Sequence, residues 1–233
     1  MPFTTLLIDL DDTLYPASSG LWDAIRDRMN EYMDKRLHIP CDQIPLLRRD
    51  YLDRYGTTLR GLQIHHQVDA EDFLAYVHDL PLEEYLDPDP DLRLLLLSLP
   101  QRKWIFTNAD VHHARRVLHR LGAHDCFDGI IDIHAREFAC KPDAEAYLRT
   151  LALVDEKDPE RCIVFDDTLR NLIPAHKIGF YTVLVGKNGS ESPEIDCAVM
   201  RLTELRTVMP ELWHPPFPPK NRESDPCLEL TNG

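Results

Sequence analysis

The chain has 233 residues, of which 43% are hydrophobic and 28% charged, as in a soluble globular protein with one sizeable core. Its formal net charge of −14 argues against general binding to nucleic acid or to anionic membranes. No apolar run is long enough to span a bilayer, and six cysteines without a C-x-x-C pair favour a reduced, cytoplasmic protein.

The first predicted element is a strand over the apolar run Phe3–Ile8. It is followed by a long stretch, from Tyr15 to Leu86, that contains no convincing strand pattern. Apolar residues in this stretch recur with helical spacing instead. Helices are predicted over Leu21–Leu37, Pro45–Tyr55 and Ala70–Val77.

A turn-rich segment, Tyr85 to Pro90, precedes a stretch in which strands and helices alternate. Strands are predicted over Lys103–Phe106, Gly129–Ile133, Arg161–Phe165, Tyr181–Val185 and Cys197–Met200. Helices are predicted over Asp91–Leu99, Val111–Leu121, Pro142–Leu153 and Leu169–Ile178, with Pro142 at the first helical position. This alternation predicts an α/β fold with a Rossmann-like, doubly wound, mostly parallel sheet and helices on both faces.

The pattern divides the chain into three parts. Residues 1–15 and 88–209 form the predicted α/β core, and residues 16–87 form an all-helical subdomain inserted after the first strand. Residues 210–233 are rich in proline and polar residues, so a flexible tail is expected. A proline-rich ligand for a partner domain is the alternative for this tail.

Two aspartates, Asp9 and Asp11, follow the first strand with one residue between them. Alternate side chains of a strand share a face, so both carboxylates are expected to point the same way. Carboxylates crowded together repel each other, and a bound cation relieves that repulsion. The alternative is structural, because Asp and Thr after a strand often form a turn or cap the next helix.

Other polar residues follow the other predicted strands. Thr107 and Asn108 come after the second, Lys141 precedes a core helix, and Asp166 and Asp167 follow the strand that contains Phe165. Ligands of a doubly wound sheet bind at the carboxyl ends of its strands, so these residues are expected in one pocket. The carboxylates of Asp9, Asp11, Asp166 and Asp167 would be oxygen ligands for Mg²⁺.

These residue types suit phosphoryl chemistry. Lys141 and a cation would offset negative charge, and Thr107 and Asn108, with adjacent N–H groups, would bind phosphate oxygens. Asp9 could then attack phosphorus to form an aspartyl-phosphate. Asp11 could protonate the leaving oxygen and later deprotonate the hydrolytic water.

The ordered set resembles the four motifs of the haloacid dehalogenase (HAD) superfamily. The motifs are Asp9-Leu10-Asp11-Asp12-Thr13, Thr107-Asn108, Lys141-Pro142 and Asp166-Asp167 with Asn171. The resemblance implies Asp9 as nucleophile, Asp11 as acid/base and a backbone metal ligand, Thr107 and Lys141 as phosphate-binding residues, and Asp166 and Asp167 as metal ligands. It also implies that the helical insert is the family's cap. Dehalogenases lack an aspartate at the position of Asp11, which favours phosphate ester hydrolysis; transfer to a second substrate remains an alternative.

A closer likeness is to the pyrimidine 5′-nucleotidase branch of fungi and plants. It is carried by Asp11–Pro16, Tyr55–Leu62, Phe106–Ala109 and Phe165–Thr168. The resemblance implies a nucleoside 5′-monophosphate such as UMP or CMP as substrate. Two alternatives stay open: a phosphatase for small sugar phosphates or damaged metabolites, and a non-catalytic regulatory protein on the same fold. Oligomeric state is not indicated.

Several further residues have both a functional and a structural interpretation. Arg60 could bind the nucleotide or lie on the surface in a glycine-flanked turn, and Tyr15 could stack on a base or pack at the hinge. Asn171 could orient Lys141 or a metal ligand, or cap a helix. Asp12 would serve the turn or support the residues that contact the ligand. A solvated basic face is expected for the helix that carries His112, His113 and His119 among Arg115, Arg116 and Arg120.

Overall fold

The computed structural model describes residues 3–187 and 192–213. Its strands are β1 (Thr5–Ile8), β2 (Arg102–Phe106), β3 (Gly129–Ile131), β4 (Cys162–Asp166), β5 (Tyr181–Val185) and β6 (Cys197–Val199). They form one sheet in the order β3-β2-β1-β4-β5-β6, and every neighbouring pair is parallel. The predicted doubly wound α/β fold is confirmed.

The helices of the described residues complete the architecture. Between β1 and β2 lie α1 (Leu21–Lys35), α2 (Ile44–Tyr55), α3 (Thr58–His66), α4 (Ala70–His78) and α5 (Pro90–Ser98). The later helices are α6 (Val111–Leu121), α7 (Ala144–Leu153), α8 (Leu169–Ile178) and α9 (Leu205–Val208). In the described part no helix has the length and apolar character needed to cross a membrane.

The two central strands explain where a ligand would bind. Strands β1 and β4 are buried along their whole length, as expected for parallel strands covered on both faces. Strand β2 pairs with one edge of β1 and β4 pairs with its other edge, so the strand order reverses direction between β1 and β4. The carboxyl ends of β1 and β4 therefore flank the crevice where doubly wound folds bind ligands.

Helices α1 to α4 pack on one another beside the sheet. Helix α1 packs against α4, where the rings of Tyr32 and Phe73 meet at 5.1 Å, and α2 packs against α3. At this second contact a Cβ on Gly61 would lie 2.2 Å from Cγ of Tyr51, so only glycine fits there. Helix α3 was not predicted; it begins where the Thr57 hydroxyl accepts the Arg60 N–H at 3.1 Å.

Two local predictions were wrong. Pro142 is not the first residue of α7, because the helix begins at Ala144 and the Asp143 side chain caps it by accepting the Glu145 N–H. The segment expected to be flexible begins instead with a short 3₁₀ turn, Pro210–Trp213, in which Leu212 is buried. The expectation for residues 214–233 lies outside the described residues.

Candidate active site

The polar residues at the strand ends come together around Lys141. Its ammonium group is buried and lies 2.8 Å from Oδ1 of Asp9, which follows β1, and 2.7 Å from Oδ2 of Asp166, which ends β4. Burial alone would lower the pKa of Lys141, but the two carboxylates outweigh it and raise that pKa. The lysine is therefore a fixed positive charge between two acids.

A cluster of three carboxylates can hold a divalent cation. One carboxylate oxygen each from Asp9, Asp166 and Asp167 lies within 4.8 Å of the others. Burial, followed by repulsion from Asp166, raises the pKa of Asp167 to about 6. Burial likewise raises the pKa of Asp9 well above its usual value. Lys141 opposes this rise, and repulsion from Asp166 and Asp167 adds to it. The repulsion that Lys141 does not offset, together with the all-oxygen donor set, fits Mg²⁺.

The side chain of Asp11 does not join this cluster, although it was predicted as a metal ligand. Its Oδ1 accepts hydrogen bonds from the Tyr15 hydroxyl at 2.6 Å and from Nε2 of His113 at 3.0 Å. Burial would raise the pKa of Asp11, but His113 and Tyr15 outweigh it and lower that pKa. The acidic cluster forms without the Asp11 carboxylate, and a metal role for the Asp11 main-chain carbonyl stays a prediction.

The environments of Tyr15 and His113 therefore differ from those predicted from the sequence. Tyr15 is buried with its hydroxyl on Asp11, so it is not available to stack on a base. His113 is buried rather than on a solvated basic face, and its ring stacks on that of His78 with 4.0 Å between centroids. His112 and His119 are exposed, as predicted for that face.

The loop after β2 is fixed by two side chains. The side-chain amide of Asn108 donates to the Lys141 carbonyl and its Oδ1 accepts the Lys141 N–H, both at 2.9 Å. The guanidinium of Arg136 is completely buried, donates to the Thr107 carbonyl and to Oδ1 of Asn108, and lies over the Phe106 ring. The Thr107 hydroxyl accepts the Ala109 N–H at 3.0 Å, which leaves its hydrogen free for a phosphate oxygen.

Asn108 was predicted to bind phosphate, but its side chain is occupied in holding Lys141. Arg136 was not predicted at all, because a single arginine in a loop gives no pattern. Asn171 donates to both oxygens of Asp166, at 3.0 and 3.1 Å, which is the orienting contact that was expected. Asp12 lies in the turn with a φ of 57°, and burial with repulsion from Asp167 raises its pKa to about 7.

A cavity of about 700 Å³ opens above these residues, between the core and the helical insert. Asp9, Asp167, Thr107 and Lys141 line its base, and Asp166 lies buried behind them. The insert contributes apolar side chains, including Trp22, Met29 and Phe73. Arg60, which was expected to contact substrate, is exposed on α3 and is not among the residues that line the cavity.

Arg48 of α2 lines the cavity instead. Its guanidinium donates to Oδ1 of Asn30 at 2.9 Å, lies 3.7 Å from the Met29 sulfur, and keeps a buried Nε without a partner. No carboxylate pairs with it among the residues described. Burial, with repulsion from Arg26, lowers its pKa.

Fold and site together define a class of protein: a doubly wound α/β protein with a carboxylate nucleophile candidate, a buried lysine and an acidic cluster able to hold a divalent metal, beneath a helical insert. The haloacid dehalogenase-like hydrolase model matches residues 3–179. The chain belongs to this family.

Two solved structures share the fold at low sequence identity. A HAD phosphatase from Thermococcus onnurineus is 22% identical with a TM-score of 0.59, covering 88% of this chain and 97% of that one. The putative HAD-hydrolase YfnB from Bacillus subtilis, solved with bound magnesium, is 17% identical with a TM-score of 0.60, covering 89% and 98%.

One curated relative is more similar in sequence. "Phosphate metabolism protein 8" of Saccharomyces cerevisiae is 35% identical over 153 residues, which cover 60% of this chain and 48% of the relative. The chain therefore matches about half the length of that protein.

Proposed function

We propose that this HAD hydrolase is a Mg²⁺-dependent phosphomonoesterase that forms an aspartyl-phosphate on Asp9. The observation that carries the proposal is the placement of the Lys141 ammonium group 2.8 Å from Asp9 and 2.7 Å from Asp166 at the base of an open cavity. A non-catalytic role would give no reason to keep mutually repelling carboxylates exposed to a ligand. The name of the yeast relative, which refers to phosphate metabolism, agrees with phosphate ester chemistry.

The first chemical step is proposed as a displacement at phosphorus. The Asp9 carboxylate forms a bond to phosphorus while the ester P–O bond breaks, and the departing oxygen takes the proton of Asp11. Lys141 and the hydroxyl of Thr107 stabilise charge on the phosphoryl oxygens. Mg²⁺, held by Asp9, Asp166, Asp167 and the Asp11 carbonyl, would neutralise the carboxylates and the phosphoryl group.

The second step restores the enzyme. Asp11, now a carboxylate, takes a proton from water while the water oxygen attacks phosphorus. The bond between phosphorus and Asp9 breaks, and orthophosphate leaves. Each cycle thus converts one phosphomonoester and one water into an alcohol and orthophosphate, with both aspartates returned to their starting states.

For the substrate we propose a pyrimidine nucleoside 5′-monophosphate. The cavity volume lies within the range of small-molecule sites, and its apolar wall suits a planar base. Wild-type protein is expected to hydrolyse UMP and CMP in preference to sugar phosphates, and EDTA should abolish hydrolysis until Mg²⁺ is restored. A panel of nucleotides and sugar phosphates, assayed by phosphate release, makes the comparison. A clear preference for sugar phosphates would favour the alternative function instead.

Arg48 supports the nucleotide proposal because it is a desolvated donor without an anionic partner among the described residues. A carbonyl oxygen of the base would satisfy it. Arg48→Ala is expected to raise KM for UMP about tenfold or more, since a hydrogen bond to a charged group contributes roughly 1.5–3 kcal/mol. Hydrolysis of p-nitrophenyl phosphate should change little. Arg60→Ala is the matched control, and equal effects of both variants on UMP would contradict this role.

A further inference from the structure

The carboxyl group of Asp11 is held asymmetrically. The Tyr15 hydroxyl and Nε2 of His113 both donate to Oδ1, at 2.6 and 3.0 Å. Within residues 3–187 and 192–213, nothing hydrogen-bonds to Oδ2, although Asp11 lines the cavity. One oxygen is thus fixed by two donors, and the other is left to exchange a proton with a ligand.

Burial and ring stacking hold the imidazole of His113, and with it the Nε2 donor, in place. His113 lies in the first turn of α6, its side chain is wholly inaccessible to solvent, and its Nδ1 has no partner among the described groups. Oδ1 of Asp11 accepts in this contact, so Nε2 of His113 carries a hydrogen. Ring orientation is set by the stacked His78 ring, with 16° between the ring planes.

His78 connects this arrangement to the helical insert. It is the last residue of α4, and its Nδ1 lies 2.6 Å from Oδ2 of Asp110. Oδ1 of Asp110 accepts the N–H groups of His112 and His113 and so caps α6. Arg116 of α6 also donates to the His78 carbonyl at 2.7 Å. The end of α4 and the start of α6 therefore form one buried unit behind Asp11.

We propose that Tyr15 and His113, with His78 stacked behind, are positioning residues that make Oδ2 of Asp11 the proton-transferring oxygen. This inference rests on the proposed phosphomonoesterase function. In the acid form of Asp11, Oδ1 is the carbonyl oxygen that accepts both hydrogen bonds, and Oδ2 carries the proton. When the ester P–O bond breaks, that proton passes to the leaving oxygen, and Asp11 becomes a carboxylate. Rotation of the carboxyl group would place the proton away from the substrate.

The test compares leaving groups, because proton donation matters only when the departing oxygen is basic. In His113→Phe, kcat/KM for UMP, an alkyl ester, is expected to fall roughly 100-fold, within the usual range of general acid catalysis. The fall for p-nitrophenyl phosphate, whose leaving group departs without a proton, should be less than about tenfold. Because kcat/KM covers steps only up to formation of the aspartyl-phosphate, the later hydrolysis does not enter the comparison.

Three further variants distinguish loss of the hydrogen-bond donor from general loss of the folded structure. Tyr15→Phe removes only a hydroxyl and should show the same selective loss, whereas His113→Gln keeps an N–H donor and should recover part of the UMP activity. His112→Phe, at the exposed neighbouring position, should behave as wild type. Equal losses for both substrates in His113→Phe and Tyr15→Phe would overturn the positioning role. A wild-type protein that hydrolyses neither substrate would overturn the proposed function itself.

Discussion

Asp9→Asn is expected to reduce phosphatase turnover by roughly three orders of magnitude or more, because an amide cannot form the acyl-phosphate bond. The fold should persist, since the substitution preserves side-chain shape. It also removes one of three mutually repelling carboxylates. Burial and the neighbouring acids already raise the pKa of Asp9, so loss of its charge should not lower thermal stability. Phosphate release and thermal unfolding measure the two effects.

Asp12→Asn is the matched control for this variant. Asp12 lies in the turn that follows Asp9 and has a φ of 57°, a conformation that asparagine also adopts readily. Its pKa of about 7 means that the wild-type side chain is already partly neutral near physiological pH. Turnover should therefore remain within a few-fold of wild type. The phosphorylated intermediate should be trapped in the wild-type protein and not in Asp9→Asn. Substantial turnover in the variant, or no such difference in trapping, would reject Asp9 as nucleophile.

The core of the fold was predictable because of its strong hydrophobic patterning. Strands β1 and β4 are buried and consist mainly of apolar residues, as expected when both faces of a parallel strand are covered. Polar residues directly after such runs stand out, and the sheet topology brings them together. The sequence therefore predicted that Asp9, Lys141 and Asp166 would be neighbours, which they are.

Side-chain directions at the site were harder to predict. The alternation of a strand suggested that Asp11 would point with Asp9, but β1 ends at Ile8 and Asp11 lies within the turn that follows. His113 carried a signal that was missed: it precedes Val117 by one helical turn and so lies on the buried stripe of α6. Arg48 and Arg136 depend on how the insert and a loop pack, and neither follows from local spacing.

Lys141→Met should lower the free energy of unfolding by about 3–5 kcal/mol without metal, the usual cost of removing one partner of a buried ion pair. Methionine keeps apolar contact with Phe106, whose ring centroid lies 4.9 Å from the lysine nitrogen. Asp9 and Asp166 then face each other without a cation between them. Phosphatase turnover should also fall by roughly 100-fold or more, because the phosphoryl oxygens lose a fixed positive charge.

The pH and metal dependence of this variant test the electrostatic cause. Lys141 opposes the burial that raises the pKa of Asp9, so that pKa rises further in its absence. The stability deficit should be largest near neutral pH and should narrow as the pH falls and Asp9 binds a proton. Mg²⁺ should stabilise Lys141→Met more than wild type, since it supplies the missing charge. Denaturant unfolding with and without Mg²⁺ measures both, and exposed Lys157→Met, expected within about 0.5 kcal/mol of wild type, is the control. A deficit independent of both pH and Mg²⁺ would mean that Lys141 stabilises the fold through packing rather than through its charge.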